Sequence, residues 1–406
     1  MKILIATESY YPTISGVAVF SRYLALGLIK NGHEVHVMCP ATRFATYDEM
    51  DEGIHVHRIR SIKNPFRPML RVSFMPRSAV EALFVRIKPD AVHMQDPTSI
   101  CSEVLRMCKK TNTPRVITNH FAFDYVLSYL PWLKPFHPYI AKRLEKYLLG
   151  FYNSCDYITF PSKTIENEFT HRKLHIPSVT VSNGVNLDQF FPSYNYAEMK
   201  QHLRIPNKHI VLHVGRLDQD KKPAIMIKAF SLVAEQMDVH FIICGDGNKK
   251  NQLVQLAKKA GLTDRITFTG FIDHKVLPQL YQMATVFTTA STIETQGIVA
   301  LEAMASGLPL VVARAGALPE LLETGKNGFM FDPNNATDMA DKLLLVLKDQ
   351  KQAKKMGERS LEMVEKHEIE LTFNQFEHIY RTLVTEKGTK NAHEETAARA
   401  AHYSQS

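Results

Sequence analysis

No stretch of this 406-residue chain runs for about eighteen apolar residues without charge, so no segment can span a bilayer as a helix, and any membrane contact is expected to be peripheral. The opening apolar run, Ile3 to Ala6, is too short for the core of a secretion signal and reads as a buried strand. Cysteine is scarce: Cys39, Cys101, Cys108, Cys155 and Cys244 lie apart with no CxxC spacing, which points to reduced, mostly buried thiols in a cytoplasmic protein. The histidine pairs His33/His36, His55/His57 and His171/His175 bring no cysteine or further acidic ligand, so no metal site is expected from them. Gly245-Asp246-Gly247 lacks the third glycine of a dinucleotide fingerprint, Lys250 standing in its place, and a nicotinamide-dependent reading loses its main support. No nucleic-acid recognition motif is present, and the formal charge of +8 is spread along the chain, so no nucleic-acid partner is expected. That charge still favours an anionic partner such as a nucleotide diphosphate or an anionic membrane surface.

What the chain does have is apolar material, 45% of its residues against 22% charged, and a length too great for one compact unit; two domains are expected. Short Val- and Ile-rich runs recur at 2–6, 34–38, 90–94, 115–119, 156–161, 210–214, 239–244, 265–268, 285–289 and 308–312, each of strand length. Helical stretches lie between them, among them 17–31, 76–88, 224–235 and 297–306, several closed by a glycine at 32, 261 or 307. Alternating strands and helices imply α/β architecture: two Rossmann-like, doubly wound parallel-sheet domains. A polar, proline-containing stretch from Asn183 to Pro206 marks the junction, giving domains at 1–187 and 188–370, then a helix at 371–388 crossing back to the first domain. From Thr389 onward large apolar residues are few, and a mobile tail is expected.

Ligands of open parallel sheets gather at the carboxyl ends of strands. After the run 210–214 comes Gly215-Arg216-Leu217-Asp218-Gln219-Asp220-Lys221, where the glycine lets the turn approach a ligand and Arg216 and Lys221 supply cations for a diphosphate. Asp218 and Asp220 match a DxD metal-binding pattern, but the flanking cations argue instead for a surface loop. After the run 285–289, Glu294 sits before a helix that carries Glu302 about two turns on; the free amides of Gly297 and its neighbours would point at an anion or at sugar hydroxyls. Glu302, flanked by Leu301, Ala303 and Met304, should have a partner.

These pieces, taken with Pro12-Thr13-Ile14-Ser15-Gly16-Val17, Asn183-Gly184-Val185-Asn186, Gly245-Asp246-Gly247 and Phe268-Thr269-Gly270-Phe271, resemble the retaining glycosyltransferases of the GT-B-fold group called family 4, over nearly the whole chain. The closest overall look is to diacylglycerol glucosyltransferases and lipid mannosyltransferases. The resemblance implies a deep interdomain cleft and a nucleotide-sugar donor, UDP-hexose or GDP-mannose, used without cofactor or metal. It further implies that Arg216 and Lys221 grip the diphosphate, that Glu302 binds the donor ribose, and that Glu294 with backbone at Gly297 and Ile298 binds the hexose. Gly16 and Gly215 would allow close approach, peptide groups near Phe271 would read the base edge, and His120 would lie against the reacting sugar. A non-catalytic nucleotide-sugar-binding protein is the alternative, against which so complete a set argues.

The acceptor should enter through the first domain. Residues 76–88 place Ala79, Val80, Leu83, Phe84 and Ile87 at helical spacing, with Arg77, Arg86 and Lys88 elsewhere and Arg67 and Arg71 just before. Such a helix can lie on anionic lipid or pack on its own sheet. Phe121, Phe123, Tyr125, Leu127, Tyr129, Leu130 and Trp132, followed by Lys134, His137, Lys142, Arg143 and Lys146, suit either a membrane interface or buried helix contacts. Together they lead to the expectation of a lipid acceptor, such as diacylglycerol or a phosphatidylinositol, glycosylated at the inner face of the cytoplasmic membrane; a soluble glycan or sugar phosphate is the alternative.

Overall fold

The computed structural model describes residues 1–13, 15–64, 71–122, 131–192, 196–206 and 208–403, with the side chains of 131–133 and 390–403 outside that description. The first domain is built on an eight-stranded sheet whose strands are β1 (Lys2–Ala6), β2 (Glu34–Pro40), β3 (Tyr47–Asp51), β4 (Ile54–Ile59), β7 (Ala91–Met94), β8 (Arg115–Thr118), β9 (Tyr157–Phe160) and β10 (Ser178–Thr180). A two-stranded hairpin, β5 (Ser61–Lys63) with β6 (Arg71–Ser73), stands beside it. Spatial order in the sheet is 10-9-8-7-1-2-4-3, parallel throughout except for β3 on the edge. The second domain holds a six-stranded parallel sheet of β11 (His209–Val214), β12 (Val239–Cys244), β13 (Ile266–Gly270), β14 (Val286–Thr289), β15 (Leu310–Ala313) and β16 (Gly328–Phe331), in the order 13-12-11-14-15-16. In both sheets the order reverses beside the first strand, and that is where a doubly wound sheet opens a crevice.

Continuous apolar strands are explained by cover on both faces. Ile3 and Ile5 of β1 enter one core with Phe20, Leu24 and Leu28 of the helix Gly16–Lys30, while Leu4 and Ala6 enter another with Val80, Leu83, Phe84 and Ile87 of the helix Arg77–Ile87. The amphipathic face of residues 76–88 is therefore spent on its own sheet and is not free to lie on lipid; the sequence pattern is the same for both uses, because only the neighbouring sheet distinguishes them. All five cysteines are free and buried. Six strands were missed: β3, β5, β6 and β10 are short or polar, and β3 (Tyr-Asp-Glu-Met-Asp) has no apolar pattern at all, while β4 (Ile-His-Val-His-Arg-Ile) is interrupted by polar residues and β16 (Gly-Phe-Met-Phe) is only four residues long.

The last helix, Ile369–Tyr403, packs Phe373, Phe376, Ile379, Tyr380 and Leu383 into the core of the first domain. Its approach to the first helix is close enough that a Cβ on Gly27 would lie 2.2 Å from the Phe373 ring, so only glycine fits there. Residues after Thr389, expected as a mobile tail, continue this helix to Tyr403. Ala397, Ala398, Arg399, Ala400 and Ala401 are strong helix formers, and a segment can propagate a helix already nucleated by packing without an apolar face of its own.

One buried polar chain ties that helix to the sheet. Tyr380 Oη lies 2.6 Å from His93 Nδ1, and His93 Nε2 lies 2.7 Å from Thr118 Oγ1. Burial drops the His93 pKa to about 3, so the ring is neutral and both nitrogens are satisfied. Tyr380→Phe should leave Nδ1 without a partner and lower stability by about 1–2 kcal/mol, read as a reduced urea midpoint at unchanged m. His93, His120, His213 and His367 are all depressed, to about 3, 3, 4 and 4, with burial the largest cause in each. The unfolded chain then binds more protons than the folded one below the ordinary histidine pKa, so stability is full above pH ~6.5 and falls as pH drops toward 4, by up to about 1.4 kcal/mol per pH unit for each histidine. Urea midpoints at pH 7 and pH 5 should differ in that direction; a higher midpoint at pH 5 would refute it.

Candidate active site in the interdomain cleft

The two sheets turn their carboxyl ends toward each other, and the elements at those ends meet. Gly16 begins the first helix, with Ser15 as its N-cap: Ser15 Oγ accepts from Ala18 N at 3.1 Å. Across the gap, a Cβ on Gly16 would lie 3.7 Å from Ile298 Cδ1, and Ile298 opens the helix Ile298–Ala305. Two helix N-termini therefore face one space, each with first-turn amides and the positive end of its dipole directed there, an arrangement suited to an anion. Gly297, at φ +92, turns the chain into the second of these helices in a conformation that favours glycine.

The loop after β11 supplies the cations. Gly245 follows β12 at φ +137, and a Cβ there would fall 1.9 Å from Gly215 O, so the two glycine loops are in backbone contact and position one another. Arg216 pairs with Asp218 and reaches Asp220 Oδ2 at 3.4 Å. Both aspartates are buried. Asp218-Gln219-Asp220 is thus not the solvated surface loop expected: its carboxylates point inward and orient a guanidinium, a role that spacing alone cannot reveal. Lys221 pairs with Glu294 and lies 3.2 Å from Ser291 Oγ, both members of the pair being largely withdrawn from solvent. The cation of one loop and the acid of another are joined 73 residues apart.

Glu302 is buried and held by two donors. Tyr281 gives its hydroxyl to Oε2 at 2.6 Å, and His274 Nε2 lies 3.2 Å from Oε1. His274 Nδ1 is 3.0 Å from both Tyr23 Oη of the first domain and Gln189 Nε2 of the crossing segment. A chain of polar contacts thus runs from the first domain to the acid proposed by sequence, through a histidine that sequence reasoning passed over. Its signal, a His four residues past β13, was too common to single out. Tyr23, Phe20, Asn183, Phe190, His274, Ile298 and Glu302 line one small pocket between the domains.

His120, just past β8, has Nε2 2.9 Å from Gln95 Oε1 and stands edge-on to Phe20, ring centres 5.2 Å apart. Burial holds it neutral, near pKa 3. The Gln95 contact assigns the proton to Nε2 and leaves Nδ1 an acceptor. Phe20 lines the Glu302 pocket, so His120 joins that assembly at one remove. Phe271 is 55% exposed on the rim, and the carbonyl of the preceding Gly270 is occupied by Gly245 N at 2.8 Å. Two further features escaped the sequence reading. Under the glycine loop, His213 Nδ1 lies 3.0 Å from Thr288 O, while Nε2 is buried without a partner among the described residues. At the ends of β1 and β7, Glu8 and Asp96 form a buried polar cluster: Asp96 Oδ2 accepts from Thr7 Oγ1 at 3.0 Å and Glu8 N at 2.8 Å, and Glu8 Oε1 from Ser99 Oγ at 2.6 Å. Burial raises the pKa of both acids.

Of the segments expected to meet lipid, Arg67 and residues 123–130, with the Trp132 side chain, lie outside the described residues. Arg71 donates to Ser61 Oγ at 2.7 Å and Ser61 O at 2.8 Å, so it braces the β5–β6 hairpin. No group of three or more His, Cys, Asp or Glu side chains disposed to hold a metal ion occurs among the described residues.

Two α/β domains facing across a cleft, with helix N-termini from both sides and cations from the second domain, define a GT-B architecture suited to an anionic ligand. The family models for "Glycosyl transferases group 1" and "Glycosyltransferase Family 4" match residues 195–363 and 14–189. An alpha-monoglucosyldiacylglycerol synthase of Acholeplasma laidlawii is 31% identical over 349 residues, 82% of this chain and 85% of that one. An N-acetyl-alpha-D-glucosaminyl L-malate synthase of Bacillus anthracis is 26% identical over 91% of this chain and 94% of its own. Among solved structures, Anabaena HepE in complex with UDP and glucose superposes with a TM-score of 0.74 at 20% identity, covering 95% of this chain and 100% of that one. The chain belongs to the group 1, family 4 glycosyltransferases.

Gly245→Ala should force the Gly215 loop away, lower the melting temperature by several degrees and disable the site. Gly261→Ala, at φ +70 with open space around it, should lose only about 1 kcal/mol. Equal effects of the two on thermal melting would show that the loops do not support each other.

Proposed function

We propose that this glycosyltransferase moves a hexose, glucose or mannose, from UDP-hexose or GDP-mannose onto a lipid acceptor such as diacylglycerol or a phosphatidylinositol, with retention, at the inner face of the cytoplasmic membrane. The observation that carries the donor half is the meeting of Arg216, Lys221, Glu294 and the amide-bearing turn at Gly297 and Ile298 in one cleft opposite Gly16. Support for the lipid half comes from the similarity to the Acholeplasma synthase. The likeness to a malate-glycosylating enzyme supports the second reading, the same chemistry on a soluble acceptor.

In this reading the diphosphate lies between the two helix N-termini, and Arg216 and Lys221 compensate the charge that develops as the sugar–phosphate bond breaks, which is why no metal or other cofactor is invoked. The acceptor hydroxyl oxygen bonds to the anomeric carbon on the face the nucleoside diphosphate leaves, and its proton passes to the departing phosphate oxygen. Such a route depends on placement and electrostatics more than on a protein nucleophile. Glu302 takes the ribose hydroxyls, its position set by Tyr281 and His274. Glu294 and the turn at Gly297 take the hexose. Neutral His120 offers an acceptor nitrogen toward the reacting sugar without adding charge.

Purified protein incubated with labelled UDP-glucose or GDP-mannose, each with extracted lipids or with aqueous sugars, should yield an α-linked glycolipid, the anomer assigned by NMR. A β-linked product would overturn retention, and product in the aqueous arm alone would overturn the lipid acceptor. Arg216→Ala and Lys221→Ala should each reduce kcat by roughly a hundredfold or more, since one clamp cation is worth a few kcal/mol in the transition state. Activity like that of the native chain in either variant would contradict the assignment.

A further inference from the structure

Outside the cleft, a group of exposed apolar side chains lies on the rim of the first domain, past the carboxyl ends of β2 and β4. Phe44 is 60% exposed, Phe74 38%, Met75 72% and Ile62 42%. The Phe44 and Phe74 ring centres are 5.9 Å apart, and the Arg60 guanidinium lies over both, 5.2 Å from one and 5.5 Å from the other. Arg43 stacks on Tyr47 at 4.6 Å. Among the described residues no carboxylate pairs with Arg43, Arg60, Lys63 or Arg77, so the patch is cationic as well as apolar. Met75 adopts φ +47, a left-handed backbone unfavourable for a long side chain by about 1–2 kcal/mol, which holds its apolar chain outward into solvent.

The hairpin arrangement explains why these residues meet: Phe74 N donates to Arg60 O at 2.8 Å, and Arg60 N to Thr46 Oγ1 at 3.0 Å, so three loops are drawn to one spot. Directly inside the rim, Ser73 N donates to Glu8 Oε2 at 3.1 Å, at the end of β1, which places the patch beside the cleft's first-domain wall. Guanidinium groups held flat on exposed aromatic rings combine a charge for lipid phosphates with an apolar body for the acyl boundary.

We propose that the Phe44–Phe74–Met75 rim, with Arg43, Arg60 and Lys63, is a docking surface for an anionic phospholipid bilayer, seating the cleft mouth against the membrane. It deepens the lipid-acceptor reading and rests on it for its purpose, though not for its binding. The rim replaces the helix 77–87, whose apolar face is buried, as the membrane-facing element.

The test is cosedimentation of the full chain with vesicles of phosphatidylglycerol and phosphatidylcholine, set beside transfer to a short-chain diacylglycerol dispersed in detergent. Native protein should bind the anionic vesicles, less at high salt, and at least tenfold more tightly than vesicles of phosphatidylcholine alone. Phe44→Ser/Phe74→Ser and Arg43→Glu/Arg60→Glu should each weaken vesicle binding at least tenfold while keeping native melting temperatures and native turnover on the dispersed acceptor. Native-like vesicle binding by both variants, or no binding by the native chain, overturns the surface. If the native chain docks through this rim but does not glycosylate the dispersed lipid, the surface stands and the lipid-acceptor reading falls.

Discussion

The site exists only because the loops and helix starts at the carboxyl ends of the two sheets are held against each other, and the chain achieves this by crossing the gap twice and pairing the crossings. Val185 N donates to His367 O at 2.8 Å, and Ile369 N donates back to Val185 O at 3.1 Å. Gly184 lies where a Cβ would come within 2.9 Å of the Ile369 backbone, so the strands of the hinge touch. Beyond the hinge the last helix buries several aromatic side chains in the first domain, each worth about 2–3 kcal/mol of apolar burial, which anchors the return crossing. Side-chain ties complete the join. Gln296 accepts from Asn183 N at 2.8 Å and donates to Ser182 Oγ at 2.7 Å, while Glu320 takes the Lys163 and Thr164 amides at the start of a first-domain helix.

Within that frame the cleft's charges are arranged in compensated pairs. Arg216 is oriented by buried aspartates and Lys221 by Glu294, so neither cation has to be immobilised from a flexible state when an anion arrives. Preorganisation of this kind lowers the reorganisation that accompanies charge development. It also means that an anionic ligand competes with carboxylates already in place. The Tyr23–His274–Glu302 chain extends the same logic across the domains, because a group bound at Glu302 feels a partner that the first domain holds.

Much of the fold was legible. Ten apolar runs read as strands are strands, within a residue or two at their ends, because a strand buried on both faces must be apolar without interruption. The helices 16–30, 77–87, 223–234 and 298–305 were visible for the matching reason of period and closing residues. Edge strand β3 was not, since a solvated edge needs no apolar pattern, nor was the helical run past residue 389, whose alanines serve helix and polar tail alike.

By itself the sequence determined the kind of fold, the two-domain division, the loops where Arg216, Lys221 and Glu294 stand and the helix that carries Glu302, since these follow from local periodicity and from which residue types suit strand ends. Only the tertiary structure decided what each side chain faces. It turned Asp218 and Asp220 inward, gave Glu302 its partners Tyr281 and His274, committed the amphipathic face of residues 77–87 to the core, and gathered Phe44, Arg60 and Phe74 from three loops onto one rim. Contacts between segments tens to hundreds of residues apart depend on how sheets and helices pack in space, and no local pattern records that.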